Sequence, residues 1–433
     1  MRKVLSALVV LGVTLLAAPA RATPDEDLVT AAVAGDVAGA TSAIANGADV
    51  NYAVEDQVPV LALCSTVDVA EVLLTNDNID KNFAPDTNSS FAAVHIFASR
   101  ANTDLVNALI STSPPTPSPT SVLNVDQLEG TGKSALMLAA GATSQLLGSP
   151  VDTADALLQA GADATLTVSS TGNTAIHFAV AAKPDTGVAD TRVALLEKLM
   201  NHGASVTTKN DDGSGALHVA SQPNVGSGAV VQAVLAASAA DINVADTAGD
   251  YPVHLALRTA RETNAATAES ILSALLTASP DLTVTGSNGQ SPLHLGVASG
   301  QVELVTALVN AGARDNVVDS SGGLAIHEAA AYFAVTAAQC SEITAIAQIL
   351  VENGEADLDA TNTAGETALE IAETAPEDRR CISLEQALGS SVTSAPTPQP
   401  TPAPVETPSA ATSLRPLSTF LAVLISFLLY KME

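Results

Sequence analysis

The sequence predicts an all-α solenoid of about ten helix-turn-helix units with β-hairpin-like turns. Three observations predict it. A short motif recurs with its third position at 60, 94, 136, 176, 217, 253, 293, 326 and 369, so the gaps run from 33 to 43 residues. Apolar residues continue at helical spacing after each copy. Apolar residues make up 47% of the chain while aromatics reach 3% and Trp is absent. Such a composition fills thin, uniform layers rather than one large core.

The elements follow in chain order. Residues 1–22 have the form of a secretory signal. Arg2 and Lys3 supply the basic start, Val4 to Ala18 the apolar run, and Ala20-Arg21-Ala22 the cleavage pattern. That run of 15 residues is shorter than the roughly 20 a membrane span needs. The repeat region is placed at 23–389. Its first unit lacks the motif but closes on Asn46-Gly47-Ala48-Asp49-Val50-Asn51, as an amino-terminal cap would.

The following units share one grammar. A polar turn such as Asp211-Asp212-Gly213 or Ser287-Asn288-Gly289 comes first. A Thr/Ser-Pro/Ala pair then opens a helix, where Pro is tolerated because its missing N–H would be unpaired anyway. A second amphipathic helix follows and ends at Gly, as in Ala160-Gly161-Ala162, His202-Gly203-Ala204 and Ala311-Gly312-Ala313. Extra residues are expected between the two helices at Lys183 to Thr191, Thr259 to Ala268 and Tyr332 to Ser341. Ser111 to Ser121, with Pro114, Pro115, Pro117 and Pro119, is expected to be an exposed loop. Gly365 to Leu388 carries Glu370 and Glu377-Asp378-Arg379-Arg380, as a closing cap would.

A Pro/Thr/Ser-rich stalk occupies 390–409. Its Pro396 to Pro408 would reach about 40 Å as polyproline II. The tail, 410–433, follows the small triplet Ser409-Ala410-Ala411 with a spacer and the apolar stretch Phe420 to Tyr430. This is the pattern of a glycosylphosphatidylinositol (GPI) attachment signal at Ser409. The terminal Lys431-Met432-Glu433 favours a short membrane span instead, and a free secreted form is the third alternative.

The motif Ser291-Pro292-Leu293-His294-Leu295, running on to Gly312, resembles the ankyrin repeat in both wording and period. The resemblance extends over about Asp25 to Leu388. It implies stacked helix pairs, a structural histidine in each motif and a surface that binds other proteins.

The chemistry of the chain agrees with a binding role. Asp plus Glu outnumber Lys plus Arg by 46 to 17, for a formal charge of −29. That balance excludes a nucleic-acid binder, which needs clustered cations. Six of the seven His, at His95, His177, His218, His254, His294 and His327, occupy one repeat slot about one layer apart, too far to share a metal. The turn Gly130-Thr131-Gly132-Lys133-Ser134 has Gln127 where a phosphate loop needs Gly. His327-Glu328-Ala329-Ala330-Ala331 lacks the second His of a zinc pair. No catalytic set, cofactor or metal is expected.

Cys340 and Cys381 are expected between the two helices of adjacent units and paired as a disulfide. Cys64 is expected late in a first helix as a small apolar filler. Asn88-Ser89-Ser90 is the one N-glycosylation sequon, on a turn.

The function expected is a non-catalytic protein-binding module on the outer face of the plasma membrane. It is a monomer held to the membrane through its C-terminus. The partner-binding candidates are Asp211, Asp212, Asp246, Asp250, Tyr251, Asn288 and Asp319, and a basic protein surface is their electrostatic match. The alternatives are acidity that serves solubility alone, and a cell-surface structural or adhesive protein without a discrete soluble ligand.

Overall fold

The computed structural model describes residues 23–389 apart from 55–57, 86–90, 117–118, 143–147, 184–189, 259, 261–264, 333–335 and 377–379. Asn88, Ser409, the signal, the stalk and the tail lie outside the described residues. The described helices come in antiparallel pairs: α1 (Pro24–Ala34) with α2 (Val37–Ala45), a 3₁₀ turn (Val60–Leu63) with α3 (Val67–Leu74), and α4 (Ala93–Ser99) with α5 (Thr103–Ser111). Then come α6 (Ala135–Ala140) with α7 (Pro150–Gln159), α8 (Ala175–Ala181) with α9 (Arg192–Asn201), and α10 (Ala216–Ala220) with α11 (Gly228–Ala237). The series continues with α12 (Pro252–Arg258) and α13 (Ala265–Leu276), α14 (Pro292–Ala298) and α15 (Val302–Asn310), and α16 (Ala325–Ala330) and α17 (Ala337–Glu352). It ends with α18 (Ala368–Glu373) and α19 (Ile382–Gly389).

First helices stack on first helices and second on second. Residue size explains the closeness of the stack. First helices bury alanines such as Ala139, Ala179, Ala220, Ala256 and Ala329, which let backbones approach. Second helices supply the bulk through Leu157, Leu196, Leu199, Leu304 and Leu308. Two apolar clusters result, and they meet in one helix pair. Ala256 and Ile271 belong to the amino-terminal cluster, Val253 and Leu272 to the carboxy-terminal one.

The helix ends follow local chemistry. The second helices α7, α9 and α15 close in the same way. Ala162, Ala204 and Ala313 donate to the carbonyls of Leu157, Leu199 and Leu308, and Gly161, Gly203 and Gly312 donate one residue later. The glycine φ values of 94°, 93° and 102° are the left-handed ones this closure requires.

Four local expectations are corrected. The first helix of the second unit is a single 3₁₀ turn, so Cys64 follows it rather than sitting within a helix. Pro59 provides no side-chain cap there, and the chain leaves in extended form so that the Ser65 N–H reaches the carbonyl of Ala32. The insertions are shorter than expected because α13 begins at Ala265 and α17 at Ala337. An Ala-rich start favours helix at α13, and reciprocal bonds between Thr336 and Gln339 cap α17. Cys340 consequently lies in the first turn of α17, not between helices. Among the described residues, paired strands occur only at Ala53–Val54 with Val58–Pro59, so most turns are tighter than hairpins with strand arms.

Cys340 and Cys381 are joined as a disulfide with Cα atoms 5.6 Å apart. The bond ties α17 to the start of α19, the last described helix, which buries only Leu384 and Leu388. Closing a loop with a sequence separation of 41 is expected to stabilise the carboxy-terminal units by about 2–4 kcal/mol. Replacing both cysteines by Ser is therefore expected to lower the denaturation midpoint of that end. Peptide mapping without reductant checks the bond itself, and two free thiols would remove it.

Candidate functional site

The repeated histidine organises every junction in which it occurs. In each case Nδ1 accepts the N–H of the residue three positions earlier, at the mouth of the first helix. These donors are Ala92, Thr174, Gly215, Tyr251, Ser291 and Leu324, at 3.0–3.3 Å. With Nδ1 an acceptor, the ring proton sits on Nε2. Nε2 donates across the junction to a carbonyl of the next turn. For His95, His177 and His218 these are Gln127 at 2.7 Å, Ser214 at 3.0 Å and Val244 at 2.9 Å. For His254, His294 and His327 they are Gln290, Gly323 and Ala360, each at 3.1 Å. One side chain thus caps its own helix and holds the next unit in register.

The departures fit the same logic. Glu370 stands in the His slot of the last motif. Its carboxylate accepts the Thr367 N–H at 2.8 Å and reaches no further turn. Ser134 caps the Met137 unit through its hydroxyl. His202 is exposed, and its Nδ1 lies 3.0 Å from the Lys198 carbonyl at the end of α9.

The turn tips are built by a second repeated device. Asp246 Oδ1 accepts the N–H groups of Ala248 and Asp250, both at 2.9 Å. Asp319 does the same with Ser321 at 2.8 Å and Gly323 at 2.9 Å. Asn210 and Asn362 repeat the pattern. Burial pulls the Asp319 carboxyl up, but the Ser321 and Gly323 bonds and the field of His294 outweigh it and hold it below the usual range.

Neighbouring tips are bonded edge to edge. Asp211 N–H donates to Thr171 at 3.0 Å, Thr247 N–H to Asp212 at 2.9 Å, and Thr363 N–H to Ser321 at 3.1 Å. Gly289 shows how close this approach is: a Cβ there would lie 2.8 Å from the Ser320 nitrogen.

The seven candidates therefore separate. Asp211, Asp212 and Asn288 are exposed on the tips. Asp246 and Asp319 are half-buried and committed to shaping their turns. Tyr251 is half-buried with its ring 5.5 Å from that of His254. Asp250 is not a surface group at all. It is 1% exposed, is paired with both terminal nitrogens of Arg258, and accepts the Ser287 N–H at 3.1 Å. A buried carboxylate needs such partners.

Among the buried charges that sequence reasoning missed are Lys81, Arg192 and Asp315. Lys81 donates to the carbonyls of Leu109, at 2.8 Å, and Thr112, satisfying the end of α5. Burial lowers its pKa. Arg192 binds Asp190 through Nε at 2.8 Å and gathers the carbonyls of Val180, Ala182 and Val225. Asp315 is 3% exposed and accepts the N–H groups of Ala325 at 2.7 Å and Ile326 at 3.0 Å.

Burial pushes the Asp315 carboxyl above its ordinary range, against those two bonds. A signal for this one was present. Leu324 stands where Ser134, Thr174, Ser291 and Thr367 stand in their motifs, and Asp315 stands where other turns carry Val50, Ala164 or Val206. The two exchanges compensate, because the carboxylate supplies the cap that Leu324 cannot. Cys64 is buried, its thiol pushed up to about 12, which leaves it inert at neutral pH. Among the described residues no three His, Cys, Asp or Glu converge as metal ligands would.

Residues 217–319 match the family model described as ankyrin repeats in three copies. The crystal structure of the ankyrin repeat domain of Bcl-3, a member of the IκB protein family, aligns with a TM-score of 0.44 and 21% identity. It covers 58% of this chain and 98% of that one. A search of curated proteins gives no match.

His254→Ala is expected to cost about 1–3 kcal/mol, because the half-buried Tyr251 N–H and Gln290 carbonyl both lose a partner. His327→Ala is expected to loosen mainly the units around α16 to α19, measured by hydrogen exchange. Burial holds His95, His177, His218 and His254 below the ordinary imidazole pKa. Below about pH 6.5 the unfolded chain then binds more protons than the folded one. Stability contributed by these rings is complete above that pH and declines as pH falls toward their folded pKa values. Thermal melts between pH 7.5 and 5, in salt that screens surface repulsion, are expected to show the midpoint falling on acidification. A smaller fall is expected in the His254→Ala variant.

Proposed function

We propose that residues 23–389 form a stack of about ten ankyrin units that binds a protein partner and carries out no chemistry of its own. The observation that carries this is the row of tips bonded edge to edge, with Asp211, Asp212 and Asn288 turned to solvent. Edge bonding makes the row rigid before any partner arrives, and a preorganised surface binds with less ordering cost. Ankyrin repeats in general mediate protein–protein interaction, and the match over 217–319 includes these tips from Asp246 to Asp319. The proposed partner is a basic protein surface, because only 17 cations accompany 46 acids in the chain and two of those cations, Lys81 and Arg192, are buried.

The chain is proposed to act as a monomer on the outer face of the plasma membrane. Support for that placement comes from the basic-apolar start, the Ser409-Ala410-Ala411 triplet and the apolar end. The disulfide between Cys340 and Cys381 also fits an oxidising route. Among the described residues no helix is long and apolar enough to cross a membrane.

Two measurements test this reading. A pull-down on residues 23–389, followed by mass spectrometry, is expected to recover a basic protein. Asp211→Lys with Asp212→Lys is expected to lose at least about tenfold in affinity for it, since like charges then face each other. Equal recovery by the double variant would move the binding surface elsewhere. Phosphatidylinositol-specific phospholipase C is expected to release the protein from intact cells. Retention on the membrane with Lys431 still present would favour the short-span alternative.

A further inference from the structure

The chain between α5 and Ser121 is pinned at both ends. At one end Lys81 holds the carbonyls of Leu109 and Thr112, fixing where the chain leaves α5. At the other end Ser121 is buried. In between, Pro114, Pro115 and Pro119 have no N–H to offer a helix or a ladder. Ser113, Pro115 and Thr116 are exposed. The backbone N–H of Thr116 donates to Asp77 Oδ1 at 3.0 Å, and its hydroxyl faces the same carboxylate, the two bonds holding Asp77 below the usual carboxylate range. The alternation of Thr or Ser with Pro recurs at Pro396 to Pro408, the kind of composition found in O-glycosylated stalks.

We propose that Thr116, with Ser113 beside it, is an O-glycosylation site that accepts a hexose or N-acetylhexosamine from a phosphate-activated donor. In the transfer, Thr116 Oγ1 bonds to the anomeric carbon, and the bond from that carbon to the donor phosphate breaks with its electron pair. The hydroxyl proton passes to a base of the transferase, and nothing is oxidised or reduced. The stretch 112–116 suits such an acceptor because it lies in no helix, strand or turn that a transferase would have to break. The exposed Asp77 selects between modifications. A phosphate on Thr116 would set a second anion against that carboxylate, whereas a sugar is neutral.

This inference rests on passage through the secretory route, and its test separates the two. The full chain is expressed in eukaryotic cells, recovered from the cell surface and digested with trypsin. Cleavage at Arg100 and Lys133 gives a peptide that holds Ser113 and Thr116 and has no Asn-x-Ser/Thr sequon. Any sugar on it is O-linked. Fragmentation is expected to place a hexose or N-acetylhexosamine on Thr116, its mass telling the two donors apart.

Thr116→Ala is expected to lose that sugar, and Thr116→Ser to keep it, with unchanged thermal melts in both. A mature chain that starts at Thr23 with this peptide bare, or carrying phosphate, would overturn the site alone. A chain that keeps Met1 would overturn both the site and the surface placement.

Discussion

The structure depends on one constraint: a helix pair of this length cannot bury its apolar face by itself. Alanine-lined first helices and leucine-lined second helices bury it only against the neighbouring pair. Apolar contact alone does not fix how far one layer slides on the next. The histidine does, because its two nitrogens lie a fixed distance apart and serve two different units. Nδ1 is spent on its own helix mouth, and Nε2 on the next turn. Where no further described unit follows, Glu370 suffices, since only the first task remains.

The same economy governs the buried charges. Asp250, Asp315, Lys81 and Arg192 are each placed where backbone groups or an opposite charge need a partner. None of them is therefore free to meet a ligand. Asp211, Asp212 and Asn288 are left exposed on the outer edge of the tips. The acidity of the chain is thus divided: part of it builds turns, and part faces solvent. Only the second part shapes the electrostatic field around the molecule.

Much of this was legible in the sequence. The period, the paired helices and the closing glycines follow from local rules: helical spacing, a cap at one end and a left-handed residue at the other. The shared histidine slot was legible too, as one position with one role. Their far partners were not. The carbonyls met by Nε2 lie 26 residues away for His218 and 37 for His177. Insertions of varying length between layers erase any fixed offset, so spacing could not point to them.

Only the tertiary structure decided which acids are surface groups. Asp246 and Asp250 are four residues apart on one turn and look alike in sequence. One closes the turn from within, and the other is drawn inward by Arg258 from the following helix. In the same way, Cys340 joined α17 because Thr336 and Gln339 start that helix earlier than the insertion suggested. Sequence determined the unit, because a unit is made by residues near one another in the chain. Structure determined the contacts between units, because those are made by residues that only stacking brings together.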